Sequence, residues 1–154
     1  MTSMSSDKPE KKLTVAVGMS GGVDSAVTAL LLQERGYDVL GLTMSIWDSA
    51  MTGTVSKKSG CFGPGEAEDI AAARETAARL GIPHFTIPLA SEYRRWVLDE
   101  FTERRLAGYT PNPCAVCNPV MKFGFLLSHA RGRGIRFDRF ATGHYARVAR
   151  DEST

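Results

Sequence analysis

The chain has 154 residues, of which 43% are hydrophobic and 23% charged, values that are ordinary for a globular protein with one core. No apolar run approaches the roughly 20 residues that cross a bilayer, and residues 1–12 lack the apolar stretch of a signal peptide. We therefore expect a cytoplasmic protein without a membrane partner, whose net charge of +2 hides an uneven distribution.

A strongly basic segment covers residues 104–150. It contains nine arginine or lysine residues and a single acidic residue, Asp138, so that it carries a net charge of +8. Such a bias attracts a polyanion by releasing counterions from its phosphates, but a solvated basic face gives the same pattern. Charge alone leaves both interpretations open.

Strands and helices are predicted to alternate after a disordered tail at residues 1–12. In chain order we predict a strand at 13–17, a helix at 23–35, a strand at 38–44, a long loop at 45–64 and a helix at 65–80. A strand at 84–87, a helix at 91–106, a loop through Pro111 and Pro113, a helix at 120–131 and a strand at 139–142 follow. This order predicts an α/β domain over residues 13–154, doubly wound around a mostly parallel sheet.

Two of the predicted helices have apolar residues at helical spacing. In the first helix these residues are Val23, Val27, Leu30 and Leu31, and in the second they are Ile70, Ala73, Ala77 and Leu80. The second helix also has acidic residues in its first turn and Gly81 just beyond its end, as helix termini favour.

The most informative segment, Gly-Met-Ser-Gly-Gly-Val-Asp-Ser at residues 18–25, lies where the first strand ends and the first helix begins. Ligands bind at this edge of an open α/β sheet, and the paired glycines and the helix N-terminus turn N–H groups toward an anion. Ser20 and Ser25 offer hydroxyl groups. Asp24 suits a phosphate site only if a cation lies between, so we assign it to Mg²⁺. A tight turn with a serine cap is the plainer alternative.

The letters Ser-Gly-Gly-Val-Asp-Ser at residues 20–25 resemble the signature of the PP-loop ATP pyrophosphatases, which adenylate a carbonyl oxygen and release pyrophosphate. The segment matches neither the Walker A motif nor Gly-x-Gly-x-x-Gly. The resemblance implies ATP and Mg²⁺ as ligands, with Asp24 as a catalytic residue through the metal. It implies that the phosphates contact Gly18, Met19, Ser20, Gly21, Gly22, Val23, Asp24 and Ser25.

Four further segments are similar to the N-terminal domain of the tRNA-specific 2-thiouridylases. They are residues 41–47, residues 69–84, the Asn-Pro-Cys-Ala-Val-Cys-Asn segment within residues 107–123, and Ala-Thr-Gly-His-Tyr at 141–145. The resemblance covers residues 13–148 and implies that the chain adenylates the C2 oxygen of the wobble uridine of tRNA and inserts sulfur there. It implies nucleotide contacts at Met44 and Gly143, base contacts at Asn112, Pro113 and Cys114, and a catalytic cysteine at Cys117.

The chain departs from that family in two respects. The family continues beyond the matched part with a second catalytic cysteine and a β-rich region, so we expect a truncated or split enzyme with a second subunit, or a standalone relative. A persulfide carrier protein would donate the sulfur. Cys114 stands where many members have Asp. Together with Cys61 and Cys117 it makes three thiols that could hold a [4Fe–4S] cluster, unless the pair cycles as a disulfide.

Three functions remain open at this point. ATP-dependent thiolation of tRNA is the leading hypothesis. The second is activation of the carbonyl or carboxylate of a small molecule, and the third is a nucleotide-binding or sulfur-carrier module without catalysis. Cys117 could also be a small buried hydrophobe, and Met44 could fill space in a strand.

Overall fold

A computed structural model of the protein describes residues 12–48 and 62–147. Four parallel strands form one sheet in the order β3-β2-β1-β4. They are β1 (Thr14–Gly18), β2 (Asp38–Ser45), β3 (His84–Pro88) and β4 (Arg139–Thr142). The predicted α/β class, the parallel sheet and all four strands are confirmed, with bounds that differ by one residue at most.

The helices connect the strands in the predicted order. Helix α1 is Val23–Glu34 and helix α2 is Glu66–Leu80. Helix α3 consists of Ala90–Tyr93, a π-helical turn at Arg94–Leu98 and Asp99–Leu106. Helix α4 consists of Pro113–Cys117, a π-helical section at Asn118–Phe125 and Leu126–Gly132.

Two apolar clusters separate the sheet from the helices on its two faces. On one face Val17 and Val39 of the strands pack with Ala29 of α1 and with Ala73 and Ala77 of α2. On the other face the strand residues Ala16, Leu40, Leu42 and Ile87 pack with residues of α3 and α4, among them Tyr93, Val97, Cys117, Met121, Leu126 and Ala130. Neighbouring strand residues therefore face opposite layers, as the doubly wound arrangement requires.

Helix α4 begins seven residues earlier than the sequence analysis predicts. The predicted helix start near Val120 is wrong, and the predicted loop includes Pro111 but ends before Pro113. Asn112 caps the helix, because its Oδ1 accepts a hydrogen bond of 3.0 Å from the N–H of Cys114. Pro113 occupies the first helical position, where its missing N–H costs nothing. Asn followed by Pro is a known signal for the start of a helix, but the neighbouring Pro111 makes this segment look like a loop.

Helix α1 covers the predicted residues, but its apolar repeat does not face the sheet. Val23, Val27, Leu30 and Leu31 are exposed, and Ser25 and Ala29 form the buried side of the helix. In α2 the predicted face is confirmed, since Ala73 and Ala77 are completely buried. Periodicity alone identifies the helix without fixing which side packs.

The strand order places the ends of β1 and β4 at a topological switch point, because the chain leaves β1 toward one edge of the sheet and reaches β4 on the other. Open α/β sheets bind ligands in the crevice at such a point. Within residues 12–48 and 62–147, none of the helices is long and apolar enough to span a bilayer.

Candidate functional site

A pocket of about 460 Å³ opens at the switch point, within the range of about 300–1,000 Å³ that small-molecule sites occupy. The ends of β1, β2 and β4, the start of α1, the start of α2 and helix α4 contribute its walls. The predicted residues that line it are Gly18, Met19, Ser20, Asp24, Ser25, Met44 and Gly143. Gly21, Gly22 and Val23 belong to the same turn, but they are not among the lining residues.

The turn between β1 and α1 requires glycine at position 21. Gly21 has a φ of +80°, and a Cβ atom there would lie 2.6 Å from the carbonyl oxygen of Asp69. The buried Ser25 hydroxyl stabilises the turn from inside, since it donates to the Gly22 carbonyl at 3.0 Å and accepts from the Ser20 N–H at 3.4 Å. The Ser20 side chain is exposed, so its hydroxyl is the more accessible of the two to a phosphate.

The segment that follows β4 lies against the start of α1. A Cβ atom on Gly143 would stand 2.9 Å from Asp24 and from the backbone nitrogen of Ser25. The Tyr145 hydroxyl donates a hydrogen bond of 2.8 Å to Oδ1 of Asp24. The hydrogen bond and the charge of Asp24 raise the pKa of the Tyr145 phenol. Gly143 therefore permits a contact that brings the two predicted elements of the site together.

The end of β2 presents free backbone groups to the pocket. The carbonyl of Leu42 faces β1 and accepts from the N–H of Met19, whereas the carbonyl of Ser45 faces β3 and accepts from the N–H of Leu89. The N–H and C=O groups of successive strand residues point alternately toward the two neighbouring strands. Those of Met44 therefore point to the side of β1, as those of Leu42 do. Strand β1 ends at Gly18, which is paired with Leu42, and so it no longer covers Met44.

A hydrogen-bonded chain supports the start of the turn. The Thr43 hydroxyl donates to the carbonyl of Met19 at 2.7 Å and lies 2.8 Å from Nε2 of His84. The hydroxyl proton is used by Met19, so the remaining contact requires His84 to donate from Nε2. Burial, followed by the charge of Arg74, lowers the pKa of the His84 imidazole.

Three charged residues that line the pocket are absent from the predicted site: Lys122, Glu66 and Asp69. Lys122 of α4 is the only lysine or arginine that lines the pocket in the described part of the chain. It lies in the Met-Lys-Phe segment that carries part of the family resemblance, which is the signal that could have identified it. Glu66, at the first position of α2, is a lining residue with a buried carboxylate. Its acidic neighbours in the first helical turn conceal it in the sequence.

The predicted base-binding and sulfur-transfer residues lie together on α4 and just before it, outside the pocket lining. Asn112 and Cys114 are exposed, and Pro113 is half-buried. Cys117 is only 9% exposed and belongs to the apolar cluster beneath the sheet. It lies on a helix and not on the loop that the sequence analysis assigned. Helix α4 nevertheless contributes Lys122 and Leu126 to the pocket, so Cys117 is on an element that reaches the site.

The three-cysteine hypothesis concerns a residue outside the described ranges. Cys61 lies there, and so does most of the long loop that contains it. Of the other two cysteines, Cys114 is exposed and Cys117 is buried. Among the described residues, no group of three His, Cys, Asp or Glu side chains is arranged to hold a metal ion.

The basic segment does not form one continuous face at the pocket. Arg136 precedes β4 and Arg139 is its first residue, so both lie at the amino end of the strand. The pocket lies at the carboxyl end, where Thr142 and Gly143 line it. The guanidinium of Arg131 stacks over the ring of Phe137 at 4.7 Å. The charge of this segment is therefore distributed over different sides of the domain.

Comparison with known proteins gives consistent matches for this arrangement. A family model described as the tRNA methyl transferase HUP domain matches residues 13–154. The chain is 44% identical over 146 residues to the tRNA-specific 2-thiouridylase MnmA of Endomicrobium trichonymphae, which covers 94% of this chain and 40% of that protein. It is 48% identical over 143 residues to the protein of the same name from Salinibacter ruber, with 92% and 36% covered.

Among solved structures, a chain described as a predicted subunit of tRNA methyltransferase from Methanocaldococcus jannaschii has the same fold. The TM-score is 0.50 at 22% sequence identity, and the match covers 86% of this chain and 53% of that chain. The chain spans less than half the length of the two curated relatives that it matches, 40% of one and 36% of the other.

Proposed function

Because the chain belongs to the tRNA methyl transferase HUP domain family, we propose that it is the ATP-binding domain of a tRNA 2-thiouridylase-type enzyme. One observation carries this proposal: the Ser-Gly-Gly-Val-Asp-Ser turn and the Gly143–Tyr145 segment meet at the switch point, around a pocket that fits a nucleotide. We propose a single domain over residues 13–154, which works in the cytoplasm.

The residues of the pocket fit a nucleoside triphosphate. The N-terminus of α1 and the N–H groups of residues 20–25 would bind the phosphates, and the ammonium of Lys122 would offset their charge. The carboxylate of Asp24 would hold Mg²⁺, which neutralises charge on the phosphate oxygens when it is bound. At the other end of the pocket, the N–H and C=O of Met44 match the acceptor and donor on the pairing edge of adenine.

The reaction that follows is activation of a carbonyl oxygen. The C2 oxygen of uridine forms a bond to the α-phosphorus of ATP, the bond from that phosphorus to the β-phosphate oxygen breaks, and pyrophosphate leaves. The outer sulfur of a persulfide then forms a bond to C2, and the C2–O bond breaks with AMP as the leaving group. A thiolate attacks the inner persulfide sulfur, the S–S bond breaks, and 2-thiouridine is released while a disulfide remains. The domain accelerates the first step by holding the reacting atoms within about 3–3.5 Å and in line.

Residues of α4 would serve the RNA and the sulfur. Asn112, Pro113 and Cys114, at the start of the helix, would contact the target base. Cys117 would supply the thiolate that attacks the persulfide and so releases its sulfur to C2. Since its side chain is buried within the apolar cluster, this role requires the start of α4 to open when RNA binds.

The partners in this proposal are tRNA and a persulfide carrier protein. The relatives extend well beyond the part that matches this chain. A further polypeptide region or a second subunit would supply what the rest of those proteins contributes. A [4Fe–4S] cluster on Cys61, Cys114 and Cys117 stays a prediction, because Cys61 lies outside the described residues.

The proposal is tested by measuring two products in one reaction. Pyrophosphate release from ATP should rise when unmodified tRNA is added, and 2-thiouridine should form once a persulfide donor is present. The Cys117→Ser variant should retain the tRNA-stimulated release and lose 2-thiouridine. If tRNA leaves pyrophosphate release unchanged, thiolation of tRNA is not the function of this domain.

A further inference from the structure

The carboxylate of Glu66 is buried at the nucleoside end of the pocket. Glu66 is the first residue of α2 and is 8% exposed, and the other buried polar side chains in the described ranges, Ser25 and Thr43, are neutral. Burial of a charge is costly unless hydrogen bonds compensate it. The hydrogen bonds of this carboxylate therefore indicate its role.

Glu66 binds three consecutive residues at the end of β2. Its Oε1 accepts from the N–H of Ile46 at 2.7 Å and from the N–H of Trp47 at 3.0 Å. Its Oε2 accepts from the Ser45 hydroxyl at 2.9 Å and from the N–H of Trp47 at 3.2 Å. Both oxygens are thus occupied by the chain itself, which leaves the carboxylate poorly suited to act as a base or to bind a metal.

The segment that Glu66 holds has lost its neighbour on one side. Strand β1 ends at Gly18, opposite Leu42, so the residues of β2 beyond Leu42 have no ladder partner toward β1. Met44 and the residues after it would be free to shift on that side. Glu66 replaces the missing partner with hydrogen bonds to Ser45, Ile46 and Trp47, immediately after Met44.

The opposite side of the same segment is packed. The ring of Trp47 lies edge-on to Phe62 at 5.1 Å, and Phe62 stacks on Tyr93 at 4.9 Å. The N–H of Glu66 donates to the carbonyl of Gly63 at 3.0 Å, which connects Phe62 to the start of α2. The end of β2 is therefore fixed to α2 by polar contacts and to α3 by aromatic contacts.

We infer that Glu66 is a positioning residue for the base of ATP: it fixes the end of β2 so that the N–H and C=O of Met44 meet the pairing edge of adenine. This inference rests on the proposed function. Adenine presents an acceptor beside a donor, and guanine presents a donor beside an acceptor, so a fixed N–H and C=O favour adenine. A mobile strand end would lose that preference, because hydrogen bonds weaken steeply with misalignment.

The test compares ligands that share phosphates and differ in the base. The affinities of the full chain for ATP, GTP and inorganic tripolyphosphate are measured by calorimetry with Mg²⁺ present. In Glu66→Gln the amide nitrogen would face backbone N–H donors, so we expect the affinity for ATP to fall about tenfold. We expect the affinity for tripolyphosphate to stay unchanged and the ratio between ATP and GTP to shrink toward one.

The matched control is Glu68→Gln, which removes an exposed carboxylate from the same helical turn and should leave all three affinities as they are. Equal losses of ATP and tripolyphosphate in Glu66→Gln, or no loss of either, would overturn the inference. If the unaltered chain binds neither ligand, the proposed function fails as well.

Amide hydrogen exchange of the ligand-free protein distinguishes a failure of the inference about Glu66 from a failure of the proposed function. In Glu66→Gln the N–H groups of Ile46 and Trp47 should exchange faster than in the unaltered chain, while the amides of β1 keep their rates. Unchanged exchange at Ile46 and Trp47 would show that Glu66 does not hold this segment, whatever the chain binds.

Discussion

The phenol of Tyr145 and the carboxylate of Asp24, 121 positions apart in the sequence, are joined by a hydrogen bond of 2.8 Å. This contact connects the exit of β4 to the first turn of α1. It is possible because the intervening Gly143 has no side chain to collide with Asp24. The carboxylate of Asp24, in the motif at residues 18–25, thus also contacts the second predicted motif, at residues 141–145.

The first prediction concerns the metal role of Asp24. In Asp24→Asn the side chain loses its charge, so the affinity for ATP with Mg²⁺ should fall about tenfold or more, while the weaker binding without Mg²⁺ should not fall, because the carboxylate then only repels the phosphates. Isothermal titration calorimetry with and without the metal measures both values. Asp38→Asn, at the opposite end of the sheet, is the control. Equal losses with and without Mg²⁺ would contradict the metal role.

The second prediction concerns the backbone of the turn. Gly21→Ala places a Cβ atom against the carbonyl of Asp69 and forces a non-glycine residue to a φ of +80°. The free energy of unfolding should fall by about 1–3 kcal/mol, and ATP binding should be lost. Urea denaturation and calorimetry give the two values. In Gly132→Ala, where a Cβ atom would meet nothing within 4 Å, both should be retained. Retention of ATP binding in Gly21→Ala would refute the assigned turn geometry.

The third prediction is a dependence of stability on pH that originates at His84. Its pKa is lowered in the folded protein, chiefly by burial, so in acid the unfolded chain takes up a proton more readily than the folded one. Stability should therefore be intact above the ordinary pKa of about 6.5 and decline as the pH falls below it. Urea denaturation at about pH 7.5 and about pH 5.5 measures this decline.

The control for that measurement keeps the hydrogen bond and removes the titration. In His84→Gln the amide can still donate to Thr43, so the decline between the two pH values should be smaller than in the unaltered chain. Identical declines in the two proteins would exclude His84 as the origin.

The fourth prediction concerns Lys122, which lines the pocket. Lys122→Gln removes a positive charge from the pocket lining, so the affinity for ATP should fall about tenfold, and that for adenosine should not change. Equilibrium binding of both ligands measures the difference. Arg79→Gln, on the exposed side of α2, removes an equal charge far from the pocket as the control. A parallel loss of adenosine binding would indicate that Lys122 supports the pocket wall instead.

The sequence predicts the sheet well because β1 and β2 are short, mainly apolar runs, and because strand–helix alternation permits few topologies. It also predicts the turn at residues 18–25, whose glycines and acid are adjacent in the chain. It misses the start of α4, where two prolines look like a loop until Asn112 is recognised as the cap. Local sequence patterns are therefore sufficient to predict the sheet and this turn.

Contacts between distant segments are what the sequence leaves undetermined. Nothing in the neighbourhood of Glu66 distinguishes it from Glu68, since both lie in the first turn of a helix. Only the packing of α2 against the end of β2 buries one and exposes the other. The same holds for Cys117, whose motif predicts reactive sulfur while its helix places it in an apolar cluster. Burial of such residues depends on the assembled layers.

The most direct test of the central claim follows the oxygen that the enzyme removes. A tRNA with a heavy-oxygen label at C2 of the target uridine is incubated with the protein, ATP, Mg²⁺ and a persulfide donor, and the AMP is analysed by mass spectrometry. Activation of the carbonyl predicts that the AMP carries one labelled oxygen for each 2-thiouridine formed. AMP without the label, formed alongside 2-thiouridine, would contradict it.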